Sequence, residues 1–146
     1  MITSPEQVRQ RVRDVILARD GYRESTSTYE RFGLADSESL YHRAFAVGYL
    51  SAIPQSERQP SRGLPAMAPV VATVGVRFAW ELAAKNEMST YDAGLLGGRQ
   101  LAAALVAGGR SQGLHLILTS LSYSTVDGWL VGEIILSARH NLDLTM

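Results

Sequence analysis

The sequence predicts an α+β domain, a mainly antiparallel four-stranded sheet packed against two helices in the order α-β-β-α-β-β, with a long Pro-rich loop between the first two strands. Three observations lead to this fold class. In two segments apolar residues recur at helical spacing, and in four segments successive residues alternate between two faces as in a strand. An Asp-Gly turn joins the last two strands as a hairpin. The 146 residues contain no internal repeat, so residues 1–146 are interpreted as a single domain.

The first helix is predicted over residues 3–19. Ser4 suits the cap position and Pro5 the first helical turn. One face of the helix is apolar, and it consists of Val8, Val12, Val15 and Ile16. Arg9, Arg11 and Arg13 spread around the other side, which favours a solvated face over a binding patch. Residues 20–40 are polar and weakly patterned, so they are either a functional or disordered segment or hide a short element.

The first two predicted strands flank the proline-rich loop. In residues 41–53, Phe45, Val47 and Tyr49 share one face, with Ala44, Ala46 and Gly48 opposite. Residues 54–69 hold four of the five prolines (Pro54, Pro60, Pro65 and Pro69), which predicts a stiff loop. The next strand, residues 70–82, is roughly 43 Å long, about twice the usual strand length. We expect it either to bend at Gly75 or to project beyond its own sheet toward a neighbouring molecule.

The second helix is predicted from Thr90 to Ala107, with Ser89 as its cap and Asp92 completing a capping box. The stripe expected to face the sheet is Tyr91, Leu95, Gly98, Ala102, Leu105 and Val106. A second row is nearly all small: Gly94, Gly97, Leu101, Ala104 and Gly108. This row indicates either crowding against the domain's own sheet or a contact between subunits.

The last third of the chain predicts a hairpin. Residues 114–123 and 129–139 are both strand-like, and Asp127-Gly128 between them is a strong two-residue turn signal because both positions tolerate positive φ.

The motif most suggestive of chemistry is Gly109-Arg110-Ser111-Gln112-Gly113, a G-x-S-x-G string. In a serine hydrolase this string joins a strand to a following helix. Here a helix enters and a strand leaves, and Gly108-Gly109 is predicted to end the helix. The available partners, His115 or His140 with Asp127 or Asp143, form no plausible triad. We therefore predict no catalytic residues, and a hydrolase using Ser111 is kept as an alternative from a different class.

Composition excludes several further classes. Fourteen basic and fourteen acidic residues cancel, which disfavours a dedicated nucleic-acid binder, and the absence of cysteine excludes disulfides, thiol catalysis and Cys-ligated zinc. No secretory signal or membrane span is visible in the sequence.

The remaining polar and aromatic residues give no binding site. His42, His115 and His140 fall on different predicted strands, so no metal site is expected, and residues 94–99 lack the Lys-Ser or Lys-Thr of a phosphate loop. No cofactor is predicted. Glu81 and Glu133 are interpreted as lone, solvent-facing carboxylates, and Trp80 and Trp129 as anchors of the core or sheet edge.

Three stretches resemble the tail terminator, or tail completion, proteins of long-tailed bacteriophages: VATVGVRFAWEL, TYDAGLLGGRQLAAAL and VDGWLVGEIILSARHNLDL. In that family a long strand leads into a helix opened by a Tyr-Asp or similar pair, and a closing hairpin carries Asp-Gly and an aromatic residue. About half of the chain resembles the family in sequence, and the rest resembles it in layout.

The resemblance implies a structural virion protein located at the junction of tail and neck and assembled in the host cytoplasm. Its subunits would form a hexameric ring that caps the tail tube, stops tube polymerisation and joins the neck connector, with DNA passing through the lumen. The partners implied are other copies of the chain, the tube protein and the connector protein. The neutral net charge suits such a passage, because a strongly basic channel would hold phosphates.

Six residues are candidates for the interfaces of such a ring. Gly94, Gly97 and Ala104, or the projecting end of strand 70–82, are expected in the lateral contact; Arg58, Gln59 and Arg62 are expected to reach the tube or the lumen. Another neck protein, such as a head-closure subunit, and a small cellular binding domain are the further alternatives.

Overall fold

The computed structural model describes residues 2–33, 40–55 and 67–145. The elements follow the order α1 (Pro5–Leu17), β1 (Arg23–Glu24), β2 (Ala44–Pro54), β3 (Met67–Glu81), α2 (Glu87–Ser111), β4 (His115–Val126) and β5 (Trp129–Asp143). The strands form one five-stranded sheet, in the order β1-β2-β3-β5-β4. Strand β1 is parallel to β2 and every other neighbouring pair is antiparallel.

The α+β class is confirmed, but the sheet has one strand more than predicted. Strand β1 contains two residues within the polar segment 20–40, and two residues carry no alternation that a sequence pattern can reveal. The two predicted helices and four predicted strands are all present.

Strands β3 and β5 form the centre of the sheet. They pair over fifteen residues, from Met67 opposite Asp143 to Glu81 opposite Trp129. Strand β3 therefore does not project beyond its sheet, and that expectation was wrong. Strand β3 begins at Met67 rather than at residue 70, so Pro69 lies inside it. Pro54, at the other border of the predicted loop, is the last residue of β2. Pro60 and Pro65 lie outside the described residues.

Helix α1 begins as the sequence predicts. The Ser4 hydroxyl oxygen accepts a hydrogen bond from the Gln7 amide at 3.2 Å, and Pro5 occupies the first turn, where its missing N–H costs nothing. The predicted apolar stripe is buried against the sheet and α2.

Helix α2 is longer than predicted at its N-terminal end. It begins at Glu87, with Asn86 in the cap position, so Ser89 lies inside the helix and the predicted capping box does not form. The Thr90 hydroxyl instead donates to the carbonyl oxygen of Asn86 at 2.9 Å and accepts from the Ala83 amide at 3.1 Å, which ties the first turn to the chain before it.

The C-terminal end of α2 also lies beyond the predicted stop at Gly108-Gly109. The left-handed residue is Gly113, at φ 75°, and its amide donates to Arg110 O at 3.1 Å. The Leu114 amide donates to Gly109 O at 2.8 Å. These two bonds define a Schellman motif. Gly108 and Gly109 serve packing instead: a Cβ on Gly108 would lie 2.7 Å from Val15 of α1.

The sheet has a helix-covered face and a second face. On the first, α1 and α2 enclose a core that contains Phe45, Val74, Val76, Phe78 and Leu136. On the second, a smaller cluster gathers at one end around Tyr29 and Phe32.

The Tyr29 ring lies over two glycines that pair across β2 and β3, Gly48 and Gly75. A Cβ on Gly48 would lie 2.7 Å from Cγ of Tyr29, and a Cβ on Gly75 would lie 2.5 Å from its Cζ. Gly75 therefore makes room for an aromatic ring from segment 25–33.

The predicted hairpin is confirmed. Asp127 and Gly128 both have positive φ, 43° and 83°, as a type I′ turn requires, and Val126 pairs with Trp129. No α-helix in the described part of the chain is long and apolar enough to span a lipid bilayer.

We expect Gly113→Ala to lower the free energy of unfolding by about 1–2 kcal/mol, because an L-residue is strained at φ 75°. Space is not the cause, since a Cβ there would meet nothing within 4 Å. Urea unfolding measures the change, and Gly113→Asn serves as the matched control because asparagine tolerates the left-handed region better. Equal losses in both variants would contradict this explanation.

Candidate interaction surfaces

Ser111 lies at the last position of α2 and is exposed. Its hydroxyl donates to the carbonyl oxygen of Gly108 at 2.7 Å, a bond within its own helix end. The order around it is helix, Schellman turn and strand, the reverse of a nucleophile elbow. The G-x-S-x-G string is therefore a helix terminus whose last glycine has a conformational role.

The histidines that were considered as triad partners have separate environments. His140 is 8% exposed, and its Nε2 lies 2.8 Å from the Tyr49 hydroxyl. Its Nδ1 donates to Asn141 O at 2.7 Å, which leaves Nε2 to accept from Tyr49 when the ring is neutral. His115 is exposed at the start of β4.

His42 lies just before β2, where its Nδ1 accepts from the Glu81 amide at 3.1 Å. Burial lowers the pKa of His42, with a smaller contribution from the neighbouring Arg43 charge. Within the described ranges, no three His, Cys, Asp or Glu side chains are grouped closely enough to hold a metal ion.

Glu133 is not the lone solvent-facing carboxylate that the sequence suggested. Its Oε2 accepts from Arg77 Nε and from the Tyr29 hydroxyl, both at 2.8 Å. Arg77 also donates to the backbone oxygen of Tyr29 at 2.6 Å, and its guanidinium carbon lies 4.2 Å from the centre of the Tyr29 ring. This three-residue cluster attaches segment 25–33 to the second face of the sheet. The alternation of apolar and polar residues along a strand could not reveal this cluster, because Tyr29 and Glu133 are 104 residues apart in the sequence.

The cluster shifts two pKa values in opposite directions. Burial raises the pKa of Tyr29 well above its usual range, and the hydrogen bond to Glu133 adds to the increase. Burial alone would raise the pKa of Glu133 as well, but the hydrogen bonds from Arg77 and Tyr29 lower it below its ordinary value of 4.5. Because every member has a partner, the cluster is best explained as a structural fastening of the segment.

The row of small residues on α2 faces the domain's own core over much of its length. A Cβ on Gly94 would lie 2.5 Å from Leu130 Cδ2, and one on Gly97 would lie 2.5 Å from Cζ3 of Trp80. Gly94 and Gly97 are buried and Ala104 is partly buried. The crowding interpretation therefore fits Gly94 and Gly97, whose expected place in a lateral contact is already occupied by Trp80 and Leu130. The three proposed loop residues, Arg58, Gln59 and Arg62, lie outside the described residues.

Part of the second sheet face is open to solvent among the described residues. We call this surface the open sheet face. Ile53 and Ile117 are 66% and 46% exposed, while Val71 and Ile135 are partly exposed. It also includes Ser51, Thr73, Ser137 and Arg139, which are placed beside these residues by the strand register. The alternation of residues along β3 predicts Val71 and Thr73 on this face. It does not indicate which end of the face is covered by segment 25–33.

A second apolar surface lies on the opposite side of the sheet, on the outer side of α2. Met88 and Leu96 are 70% and 44% exposed there. The molecule thus carries apolar side chains on two different outer surfaces.

No protein-family model matches this sequence, and no curated protein matches it significantly.

We expect Glu133→Gln to lower the free energy of unfolding at pH 7 by about 1–3 kcal/mol, because it weakens two hydrogen bonds to a charged acceptor. The folded-state pKa of Glu133 lies below 4.5, so its stabilising contribution is complete above 4.5 and is lost as the pH falls through the folded value. The difference between the two proteins should shrink at acidic pH. Urea unfolding at pH 7 and pH 3 measures it.

The matched control for this prediction is Glu81→Gln, because Glu81 is exposed on the same sheet. A Glu133→Gln effect no larger than that of Glu81→Gln would contradict a fastening role for the cluster.

We expect Gly97→Leu to destabilise the monomer by about 1–3 kcal/mol or more, since the new side chain overpacks the core against the rigid Trp80 ring. Ala93→Leu, at an exposed position of the same helix, should change stability little. Thermal unfolding of the two variants tests the contrast. A fully stable Gly97→Leu protein would show that α2 lies farther from the sheet.

Proposed function

We propose that this chain is a structural subunit of a bacteriophage tail, a tail terminator that assembles into a six-membered ring. The ring caps the tail tube, stops its polymerisation and offers its other side to the neck connector. This proposal combines the resemblance in residues 71–82, 90–105 and 126–144 with the surfaces described above.

The observation that carries the proposal is the open sheet face. Antiparallel sheets in small α+β domains bury one face against helices and leave the other to solvent, where polar side chains are expected. Here Ile53 and Ile117 are exposed on that face, with Val71 and Ile135 beside them. Such a face is stabilised when another protein surface covers it.

A ring requires two different complementary surfaces on each subunit, because its contacts are head-to-tail. In this proposal those surfaces are the open sheet face and the outer side of α2, which both carry exposed apolar side chains. They lie on opposite sides of the sheet, so the helix of one subunit can cover the sheet face of the next. The lateral contact then involves Met88 and Leu96 on one side and Ile53 and Ile117 on the other. This assignment replaces Gly94 and Gly97 as the lateral contact residues.

The charge of the chain is compatible with DNA passing through the ring. Its fourteen basic and fourteen acidic residues give a formal net charge of zero. Phosphate binding grows with each cation that contacts the DNA backbone, so a chain without a net basic excess is compatible with DNA sliding past it. The role proposed here is therefore assembly, without bond chemistry.

Purified protein should form rings of six copies of the 15.9 kDa chain, about 95 kDa, visible by light scattering and negative-stain imaging. Ile53→Glu and Leu96→Glu should each give monomers with an unchanged unfolding midpoint, because both side chains are largely exposed. Leu17→Glu, on the exposed end of α1, is the matched control and should leave the rings intact.

A mixture of the two defective proteins sharpens this test. In a head-to-tail contact the intact helix surface of Ile53→Glu meets the intact sheet face of Leu96→Glu. The mixture should therefore form a one-to-one dimer that grows no further. Rings that persist in either single variant would overturn the lateral contact assigned here.

Three outcomes would favour the alternatives. A wild-type chain that stays monomeric at high concentration and on tube ends would point to a cellular binding domain. Specific labelling of Ser111 by a fluorophosphonate would point to a serine hydrolase. Rings that bind the connector but leave tube polymerisation unaffected would indicate a head-closure subunit.

A further inference from the structure

Among the residues that the structure describes, no strand pairs with the outer edge of β4, which is a long free sheet edge. Strand β4 contains twelve residues, about 40 Å of backbone, and is the last strand of the sheet. Proteins usually protect such edges with charged residues, prolines or very short strands. Residues 115–126, HLILTSLSYSTV, contain no Asp, Glu, Lys, Arg or Pro, and the ladder has one irregularity, between Leu118 and Ser120.

The opposite sheet edge is protected by a very short strand and by a proline. Strand β1 has only two residues, and β2 ends in Pro54. Residues 24–30 lie beside residues 46–49 of β2, where both segments line one cleft. Of the two edges, β4 therefore offers the longer run of unpaired backbone groups.

An apolar groove of about 480 Å³ runs between β4 and α2. Its walls are Ala103, Val106 and Ala107 of the helix and Leu118 and Leu121 of the strand. Leu118 is 43% exposed. Because strand side chains alternate between faces, a strand added beside β4 would direct every second side chain toward this groove.

Two arginines of α2, Arg99 and Arg110, also line the groove. Among the described residues, neither guanidinium has a carboxylate within 4.0 Å, whereas Arg9, Arg13 and Arg77 do. The two positions are separated by about 16 Å along the helix axis. An extended chain covers this distance in about five residues.

We propose that the β4 edge and its groove bind an extended, acidic segment of another protein by strand addition. The segment has apolar side chains toward the groove and a carboxylate toward each arginine. Backbone hydrogen bonds to β4 supply affinity, and the groove and the two guanidinium groups supply specificity. The proposal is drawn from the β4 edge and the groove alone and does not require that the chain forms a ring.

The charges argue for a foreign segment rather than a second copy of this chain. Pairing two β4 edges around a twofold axis would bring both pairs of Arg99 and Arg110 to one seam without a carboxylate from β4 to neutralise them. The β2 edge of a second copy is partly lined by its own segment 24–30.

The probe is a fluorescein-labelled nonapeptide, TETLTLTET, whose alternate residues are Glu, Leu, Leu and Glu. We expect saturable binding by fluorescence anisotropy at low salt, weakened by added salt. The control peptides are TKTLTLTKT, which reverses the charges, and TTLLTTEET, which has the same composition without the alternation. Both should bind about tenfold more weakly or not at all.

Variants of the full chain locate the site. Ala103→Glu fills the groove with a negative charge, and Ala93→Glu is its matched control at an exposed position of α2 outside the groove. We expect Ala103→Glu and the double variant Arg99→Gln, Arg110→Gln to weaken binding by about tenfold, while Ala93→Glu stays within about twofold of wild type. The double variant keeps the site testable if Ala103→Glu fails to fold.

Amide hydrogen exchange distinguishes strand addition from simple charge attraction. The peptide should slow exchange within His115–Val126 in the wild-type protein and not in the Ala103→Glu variant. Absence of saturable binding, equal binding of the lysine or scrambled peptide, or protection confined to other strands would overturn the proposal. Protection of β4 that rises with protein concentration alone would overturn it too, since it would identify a second copy as the occupant.

Discussion

The pairing of β3 with β5 is the interaction on which the rest of this structure depends. Both strands have fifteen residues and pair along their whole length, so each is central and the remaining strands attach to them. Their helix-side residues, such as Val74, Val76 and Leu136, are fully buried and form the middle of the core. Helix α2 and strand β4 lie between β3 and β5 in sequence, so this pairing also determines where the groove and the free edge are placed.

Glycines set the distances at which the other elements approach the sheet. Tyr29 fits over Gly48 and Gly75, and Trp80 lies under Gly94 and Gly97. In each case a ring occupies the volume that a Cβ would need. The glycines at these four positions thus mark close internal packing against aromatic rings.

Much of the fold could be predicted from the sequence because its signals are local. The Ser4-Pro5 start of α1, the alternation from Phe45 to Tyr49 and the Asp127-Gly128 turn each depend on a few neighbouring residues. The predicted ends of α2 were wrong, and the error at its C-terminal end has a physical reason. Gly108 resembles a helix stop in sequence, whereas only contact with Val15 of another helix explains it.

The candidate surfaces were harder to predict, because they depend on which residues other segments cover. The same alternation places Ile53 and Val71 on the second sheet face and says nothing about the extent of segment 25–33 over it. The fastening of that segment joins Tyr29 to Glu133 across 104 residues, and no local pattern contains such a pair. The resemblance to tail terminators suggested an assembly role but named no contact residue.

The position of β5 in the chain also has a consequence for the timing of folding. Strand β4 meets β5 through a two-residue turn, so this hairpin closes a short loop and can form within microseconds. Strand β3 can pair with β2, which precedes it, but its second partner, β5, follows α2 and β4 in the chain. Closing that longer loop costs more entropy. On the ribosome, synthesis must pass residue 143 before the full central ladder can form. The nascent chain therefore carries the β5-facing edge of its longest buried strand unpaired until β5 has been synthesised.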